Sequence, residues 1–134
     1  MSTFRKKTAA SIIWFEIPTD DLDRARRFYS ELFGWKIGPF PGMPGPEAQN
    51  YLHIDTGGED ASPDGGMMKR MHPQQPITNY VSVPSVTEFM TKVEKLGGKV
   101  CVPKTAVMQM GYFAICQDTE GNIFALWERN DKAK

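Results

Sequence analysis

Two side chains in the first half of the chain have the chemistry of acid–base catalysts. Glu16 and His53 each lie in a segment whose alternating pattern is typical of a half-buried β-strand. Alternation places Glu16 on the same face as Trp14, and His53 on the same face as Tyr51. Carboxylates and imidazoles are common general acids and bases, so Glu16 and His53 are the candidate catalytic residues. The alternatives for Glu16 are that it orients a ligand, pairs with Lys69 or lies at an exposed rim.

The strand faces that carry these two residues have the composition of a ligand pocket. Such pockets are mostly apolar with a few polar groups; aromatic rings stack on planar ligands, and methionine adapts to irregular ones. The candidate ligand-binding residues are Trp14, Tyr51, Met67, Lys69, Tyr80, Tyr112, Ala125 and Trp127. The opposite faces, which would pack against helices, include Ile17, Leu52, Ile54, Val83 and Leu126. The alternative is that both faces are buried, in a plugged barrel or a dimer interface.

Composition limits the classes of partner. The 134 residues carry 16 basic and 16 acidic side chains, and the formal net charge is zero. Nucleic acids and membrane surfaces favour a basic excess, so we expect neither as a partner. The N-terminus lacks the pattern of a signal peptide, which predicts a cytoplasmic protein. Cys101 and Cys116 could form a disulfide, but in that compartment we expect both to be reduced thiols in the core.

Two amphipathic helices are predicted, each between clear start and stop signals. The first begins after an N-cap at Asp20 or Asp21 and ends at Gly34. The second begins at the capping box that Ser85 and Glu88 form, and it ends at the pair of glycines that starts with Gly97.

The second half of the chain repeats the order of elements in the first half. Pro18 matches Pro84 and Gly34 matches Gly98, at an offset of about 65 residues, and each half reads β-α-β-β-β. The predicted fold is therefore α+β, with two paired βαβββ modules in a cupped, half-open mixed sheet and the helices outside. The domain spans residues 11–129, with module one at about 11–72 and module two at about 77–129. A flexible arm (1–10) precedes it and a tail (130–134) follows.

Several segments of this pattern match a known superfamily. They include Phe15-Glu-Ile-Pro, the segment Arg-Ala-Arg-Arg-Phe-Tyr-Ser-Glu-Leu-Phe-Gly-Trp (24–35), Gly97-Gly-Lys-Val and Asp-Thr-Glu-Gly-Asn-Ile-Phe (118–124). In this order and spacing the chain resembles the vicinal oxygen chelate superfamily, the glyoxalase/bleomycin resistance/dioxygenase group, from about residue 11 to 129. The resemblance implies two modules around a deep, half-open cavity. Members include lyases, epimerases, extradiol dioxygenases, drug-modifying transferases and metal-free drug-binding proteins.

The resemblance also identifies where catalytic members hold a divalent metal ion, with His and Glu from four strands. These positions fall on Trp14, on Tyr80 or Thr78, on Ala125 and on Lys69, with Met68 or Arg70 in place of Lys69 if the register shifts. None is His, Asp or Glu, the side chains that such ions require. We therefore expect no metal and no cofactor.

Two functions follow from the resemblance and from the lack of metal-ligating side chains at these positions; a structural or regulatory module is a third alternative if the cavity is plugged. The first is a metal-free protein that binds a small, partly aromatic or apolar molecule in its cavity. The second is a lyase, isomerase or dioxygenase-type enzyme that uses Glu16 and His53, or a divalent metal in an atypical place. We also expect a homodimer, because two-module members commonly pair and association would cover exposed apolar surface.

Overall fold

Each half of the chain folds into one βαβββ module. The computed structural model describes residues 10–40, 49–58 and 62–134, so most of the predicted arm (1–10) lies outside the described residues. One compact unit spans residues 13–79, and the other comprises residues 80–134 with the described residues up to Ile12. The elements are β1 (Ile12–Thr19), α1 (Leu22–Phe33), β2 (Lys36–Pro39), β3 (Tyr51–Asp55), β4 (Asp64–Lys69), β5 (Thr78–Ser82), α2 (Val86–Lys95), β6 (Lys99–Val107), β7 (Gly111–Gln117) and β8 (Ile123–Arg129). The predicted α+β class with two βαβββ modules is confirmed.

The helices start and stop where the sequence signals predict. Asp21 is the N-cap of α1, and its Oδ1 accepts a hydrogen bond from the Arg24 amide at 3.0 Å. Gly34 ends α1 with φ of 76°, a left-handed conformation that glycine adopts without strain. Ser85 caps α2 by accepting from the Glu88 amide at 3.1 Å. In the described residues neither helix is long and apolar enough to cross a membrane.

The sheet of residues 13–79 has the order β2-β3-β4-β1, with β1 parallel to β4 and the other pairs antiparallel. Its buried core comprises Ile17, Ile37, Leu52, Ile54 and Met67. Leu22, Ala25 and Tyr29 of α1 pack against this core. The predicted helix-facing positions Ile17, Leu52 and Ile54 are therefore confirmed, and α1 covers one face of the sheet.

The register of β4 corrects one part of the sequence prediction. Met67 lies opposite both Ile17 and Leu52, and Lys69 lies opposite Thr19. Directly opposite residues share a face, so Met67 and Lys69 lie on the face opposite that of Glu16. The prediction that they share a face with Glu16 is wrong. A shift of one residue moves every side chain of a strand to the other face.

The second unit has the strand order β5-β8-β7-β6, with β5 parallel to β8. Its core comprises Val83, Val86, Ala114, Cys116 and Leu126. Tyr112 packs against this helix-side core, so the prediction that it shares a face with Ala125 is wrong. Tyr80 lies opposite Ala125, and these two residues do share a face.

The two thiols differ in burial. Both cysteines are free; Cys116 is buried, whereas Cys101 is exposed, so the prediction of a core position holds only for Cys116. Burial raises the pKa of the Cys116 thiol from 9.0 to about 11, with smaller contributions from Cys101 and Glu94. The Cys116 thiol is therefore protonated near neutral pH and is a poor nucleophile.

A pair of methionines tests the register of β4. Met67 is 0% exposed and Met71 is 83% exposed. Met67→Ala should lower the free energy of unfolding by about 2–5 kcal/mol, since it leaves a cavity in the core. Met71→Ala, the matched control, should change it by less than about 0.5 kcal/mol. Urea denaturation measures both values, and equal effects would contradict the register.

Candidate functional site

Four aromatic side chains cluster in the first module, beside the face of the sheet opposite α1. Trp14 stacks on His53 with ring centroids 6.1 Å apart, and Phe40 contacts Trp14, Tyr51 and His53 at 5.8, 5.8 and 5.0 Å. Trp14, Tyr51 and His53 come from β1 and β3, whereas Phe40 follows β2. We call these four residues the aromatic face. Three of its members, Trp14, Tyr51 and His53, are candidate site residues from the sequence, and the structure brings them together.

Hydrogen bonds connect the aromatic face to Glu16. The Trp14 indole Nε1–H donates to the Tyr51 hydroxyl at 3.0 Å, and that hydroxyl donates to Glu16 Oε2 at 2.7 Å. A hydroxyl that accepts one bond and donates another has a fixed orientation. The three side chains are each half-buried. The two hydrogen bonds therefore form a chain that holds the Glu16 carboxylate in a defined position beside the aromatic rings.

A glycine makes this chain possible. Strand β4 lies between β3, which carries Tyr51, and β1, which carries Glu16. Gly66 of β4 lies directly opposite Glu16, and a Cβ atom at Gly66 would overlap the Tyr51 hydroxyl. Because Gly66 has no side chain, the Tyr51 ring can pass over β4 and reach Glu16.

His53 has a carboxylate partner that the sequence did not predict. Its Nε2 lies 3.3 Å from Asp64 Oδ2, and Asp64 Oδ1 accepts a bond of 3.3 Å from the Thr56 amide. Asp64 lies opposite Trp14 in the sheet. Asp-Gly-Gly at residues 64–66 is a sequence typical of turns, yet these residues begin β4. A carboxylate hydrogen bond sets the orientation of an imidazole, and with it which ring nitrogen carries the proton.

Three candidate residues of the second module, Tyr80, Ala125 and Trp127, lie on one face of their own sheet. Tyr80 is opposite Ala125, and Ser82 is opposite Trp127. Phe113, which the sequence did not select, lies opposite Trp127 on the same face. A Cβ at Gly111 would lie 2.7 Å from the Trp127 ring, so this indole packs against a glycine. The second module therefore presents aromatic side chains but no carboxylate at these positions.

Comparison with known proteins identifies the family. Residues 11–45 match the model "Bleomycin resistance protein-like N-terminal". A "Glyoxylase-like domain-containing protein" of Didymella fabae is 33% identical over 125 residues, which cover 87% of this chain and 92% of the relative. The chain belongs to the glyoxalase/bleomycin resistance superfamily. The "Putative glyoxylase CFP32" of Mycobacterium tuberculosis is 30% identical over 120 residues, and the match spans 45% of that relative's length.

Solved structures share the fold of this glyoxalase-like protein. A superfamily member from Vibrio splendidus aligns with a TM-score of 0.62 at 11% identity, covering 90% of this chain and 99% of that one. The Mn(II)-bound glyoxalase of Novosphingobium aromaticivorans aligns with a TM-score of 0.57 at 17% identity, covering 94% of this chain and 40% of that one. At these identities the likeness concerns the fold alone.

The residues of this glyoxalase-like protein do not fit the metal site of the superfamily. Trp14, Tyr80 and Ala125 supply an indole, a phenol and a methyl group. In the second module Tyr80 lies opposite Ala125, and the equivalent pair in the first module is Trp14 and Asp64. The fourth metal-ligand position therefore falls on Asp64, and its assignment to Lys69 from the sequence is wrong. One carboxylate remains, and it contacts His53 and Thr56. Across residues 10–40, 49–58 and 62–134, no three His, Cys, Asp or Glu side chains come together as metal ligands.

Substitutions of two glycines test whether the Tyr51 ring passes over β4 to reach Glu16. Gly66→Ala should destabilise the fold by about 1–3 kcal/mol, because the new methyl group overlaps the Tyr51 hydroxyl. The displaced ring loses its bonds to Trp14 and Glu16, and the near-ultraviolet circular dichroism should change. Gly38→Ala in β2 is the control, since nothing lies within 4 Å of a Cβ there. Similar spectra and stabilities for the two variants would contradict the passage of the Tyr51 ring over Gly66.

Proposed function

We propose that this protein binds a small, planar, partly apolar molecule on the aromatic face, without a metal ion at the superfamily's position. The observation that carries the proposal is the hydrogen-bonded chain from Trp14 through Tyr51 to Glu16. It fixes a ring and a polar group beside each other before any ligand arrives, and such preorganisation lowers the entropic cost of binding.

The chemistry of the face supports a planar ligand. The faces of aromatic rings attract other flat rings by offset stacking, and Trp and Tyr combine an apolar body with a polar atom. The carboxylate of Glu16 and the imidazole of His53 lie among these rings and supply the polar contacts that orient a ligand. This combination favours a compound with an aromatic ring and a hydrogen-bonding substituent.

A second candidate function is catalysis, and the pair of His53 and Asp64 favours it. The 3.3 Å contact orients the imidazole, and a base near a bound carbonyl compound can abstract a proton without a metal ion. The relatives named as glyoxylases belong to the same superfamily, but a shared fold does not determine a reaction. A lyase or isomerase that uses Glu16 or His53 is therefore the alternative. Glu16→Gln should abolish turnover in that case, while a binding protein would show none.

Removal of the Trp14 indole tests the binding site. Trp14→Ala should weaken the binding of a planar aromatic probe by about tenfold or more, on the scale of a lost stacking contact. Titrations of indole-3-carboxylate and phenol, followed by calorimetry, measure the affinity. Trp35→Phe is the control, because Trp35 stacks on Tyr29 at 5.4 Å, in the cluster that packs against the helix-side core. Equal losses in the two variants would contradict the proposal.

The metal content of the purified protein tests the proposal that no metal ion is bound at the superfamily's position. We expect elemental analysis of protein expressed without a metal-binding tag to give well below one equivalent of Zn, Ni, Fe or Mn. The reason is the chemistry of Trp14, Tyr80 and Ala125, which supply none of the usual ligand atoms. One tightly bound ion per chain, lost on His53→Ala or Asp64→Ala, would favour an enzyme with an atypical metal site.

A further inference from the structure

Phe40 contacts the other three members of the aromatic face. Its ring stacks on Trp14 with an interplanar angle of 27° and on Tyr51 with an angle of 23°, both at 5.8 Å. It also lies 5.0 Å from His53, tilted by 47°. Phe40 is half-buried, and it is the residue that follows β2. Its ring therefore rests against the ring surfaces to which we assign ligand binding.

The phenyl ring of Phe40 has the geometry that a bound aromatic ligand would have. Centroid distances of 4.5–7 Å are those of favourable aromatic pairs, whether both rings belong to the protein or one belongs to a ligand. Trp14, Tyr51 and Glu16 are joined by hydrogen bonds, whereas a phenylalanine side chain has no polar atom to tie it down. Rotation of Phe40 away from the face thus breaks stacking contacts but no side-chain hydrogen bond.

We propose that Phe40 is an internal occupant of the binding site and that a ligand with a single planar ring takes its place. This inference rests on the proposed function and specifies its ligand class. A ligand must compete with Phe40, so the apparent affinity is reduced by the fraction of molecules in which the ring has left the face. A puckered ring of the same size cannot reproduce the stacking, so the site selects flat rings.

Removal of Phe40 should change the ligand affinity in the direction opposite to that expected for a residue that contacts the ligand. Removal of an aromatic side chain that contacts a ligand weakens binding, whereas removal of a competitor strengthens it. Phe40→Ala should therefore lower the Kd for phenol about fivefold to tenfold, the scale of one or two stacking contacts. Cyclohexanol, which has the same size but is puckered, should gain less than twofold. Calorimetric titrations of both alcohols into the parent protein and the variant give these ratios.

Two further variants control for packing and folding. Phe33→Ala removes a phenylalanine that is 57% exposed and lies 5.0 Å from Trp35, and it should leave the Kd for phenol unchanged. Phe40→Leu keeps apolar bulk but loses the flat ring; it should tighten phenol binding at least threefold and carries the test if Phe40→Ala does not fold. Thermal melts establish which variants are folded.

A direct observation of Phe40 completes the experiment. With 4-fluorophenylalanine incorporated, the fluorine signal of Phe40, assigned by its loss in Phe40→Leu, should move towards its value in denatured protein as phenol saturates the site. Weaker or unchanged phenol binding in the Phe40 variants, or a fluorine signal that does not move, would overturn the inference and make Phe40 a wall of the pocket. If phenol and indole-3-carboxylate bind saturably to none of these proteins, the proposed function itself is wrong.

Discussion

The side chain of Tyr51 crosses a whole strand to reach Glu16, and the arrangement of the candidate site depends on this crossing. The tyrosine hydroxyl is the shared atom of both hydrogen bonds, so its position fixes the Trp14 indole as well as the Glu16 carboxylate. The crossing requires a strand residue without a side chain, and Gly66 meets that requirement. Glycine usually weakens the interior of a strand; here the cost is offset by the aromatic contacts that lie above it.

The two modules show how one repeated framework supports different chemistry. In each module the first strand pairs in parallel with the last, so a residue of one directly faces a residue of the other. In the first module that pair is Trp14 and Asp64, and in the second it is Tyr80 and Ala125. The framework is thus kept, and in each pair an aromatic residue lies where the resemblance to the superfamily implies a metal ligand. Stacking and hydrogen bonding are the interactions that tryptophan and tyrosine side chains offer.

The sequence predicted the elements well and two of the strand registers badly, for physical reasons. The caps at Asp21 and Ser85 and the helix end at Gly34 are local signals, and the structure confirms them. Strand β4 begins with Asp64 and two glycines, which lack the alternation that defines a face, so Met67 was assigned to the wrong side. In β7 the run from Tyr112 to Cys116 is apolar throughout, and a pattern without polar residues does not distinguish the two faces. Phe40 and Asp64 were missed because both lie in sequences rich in Gly and Pro that indicate turns.

The parallel pairing within each module has a consequence for folding. Trp14 and Asp64 are neighbours in the sheet but lie 50 residues apart in the chain (64 − 14), and Tyr80 and Ala125 lie 45 apart (125 − 80). Contacts of such long range form slowly, because the chain loses entropy when the loop closes, before the favourable contact is made. The hairpin of β3 and β4 and the two helices form from nearer neighbours. We therefore expect the Trp14 indole to reach the Tyr51 hydroxyl late in the folding of the first module, when β1 packs beside β4.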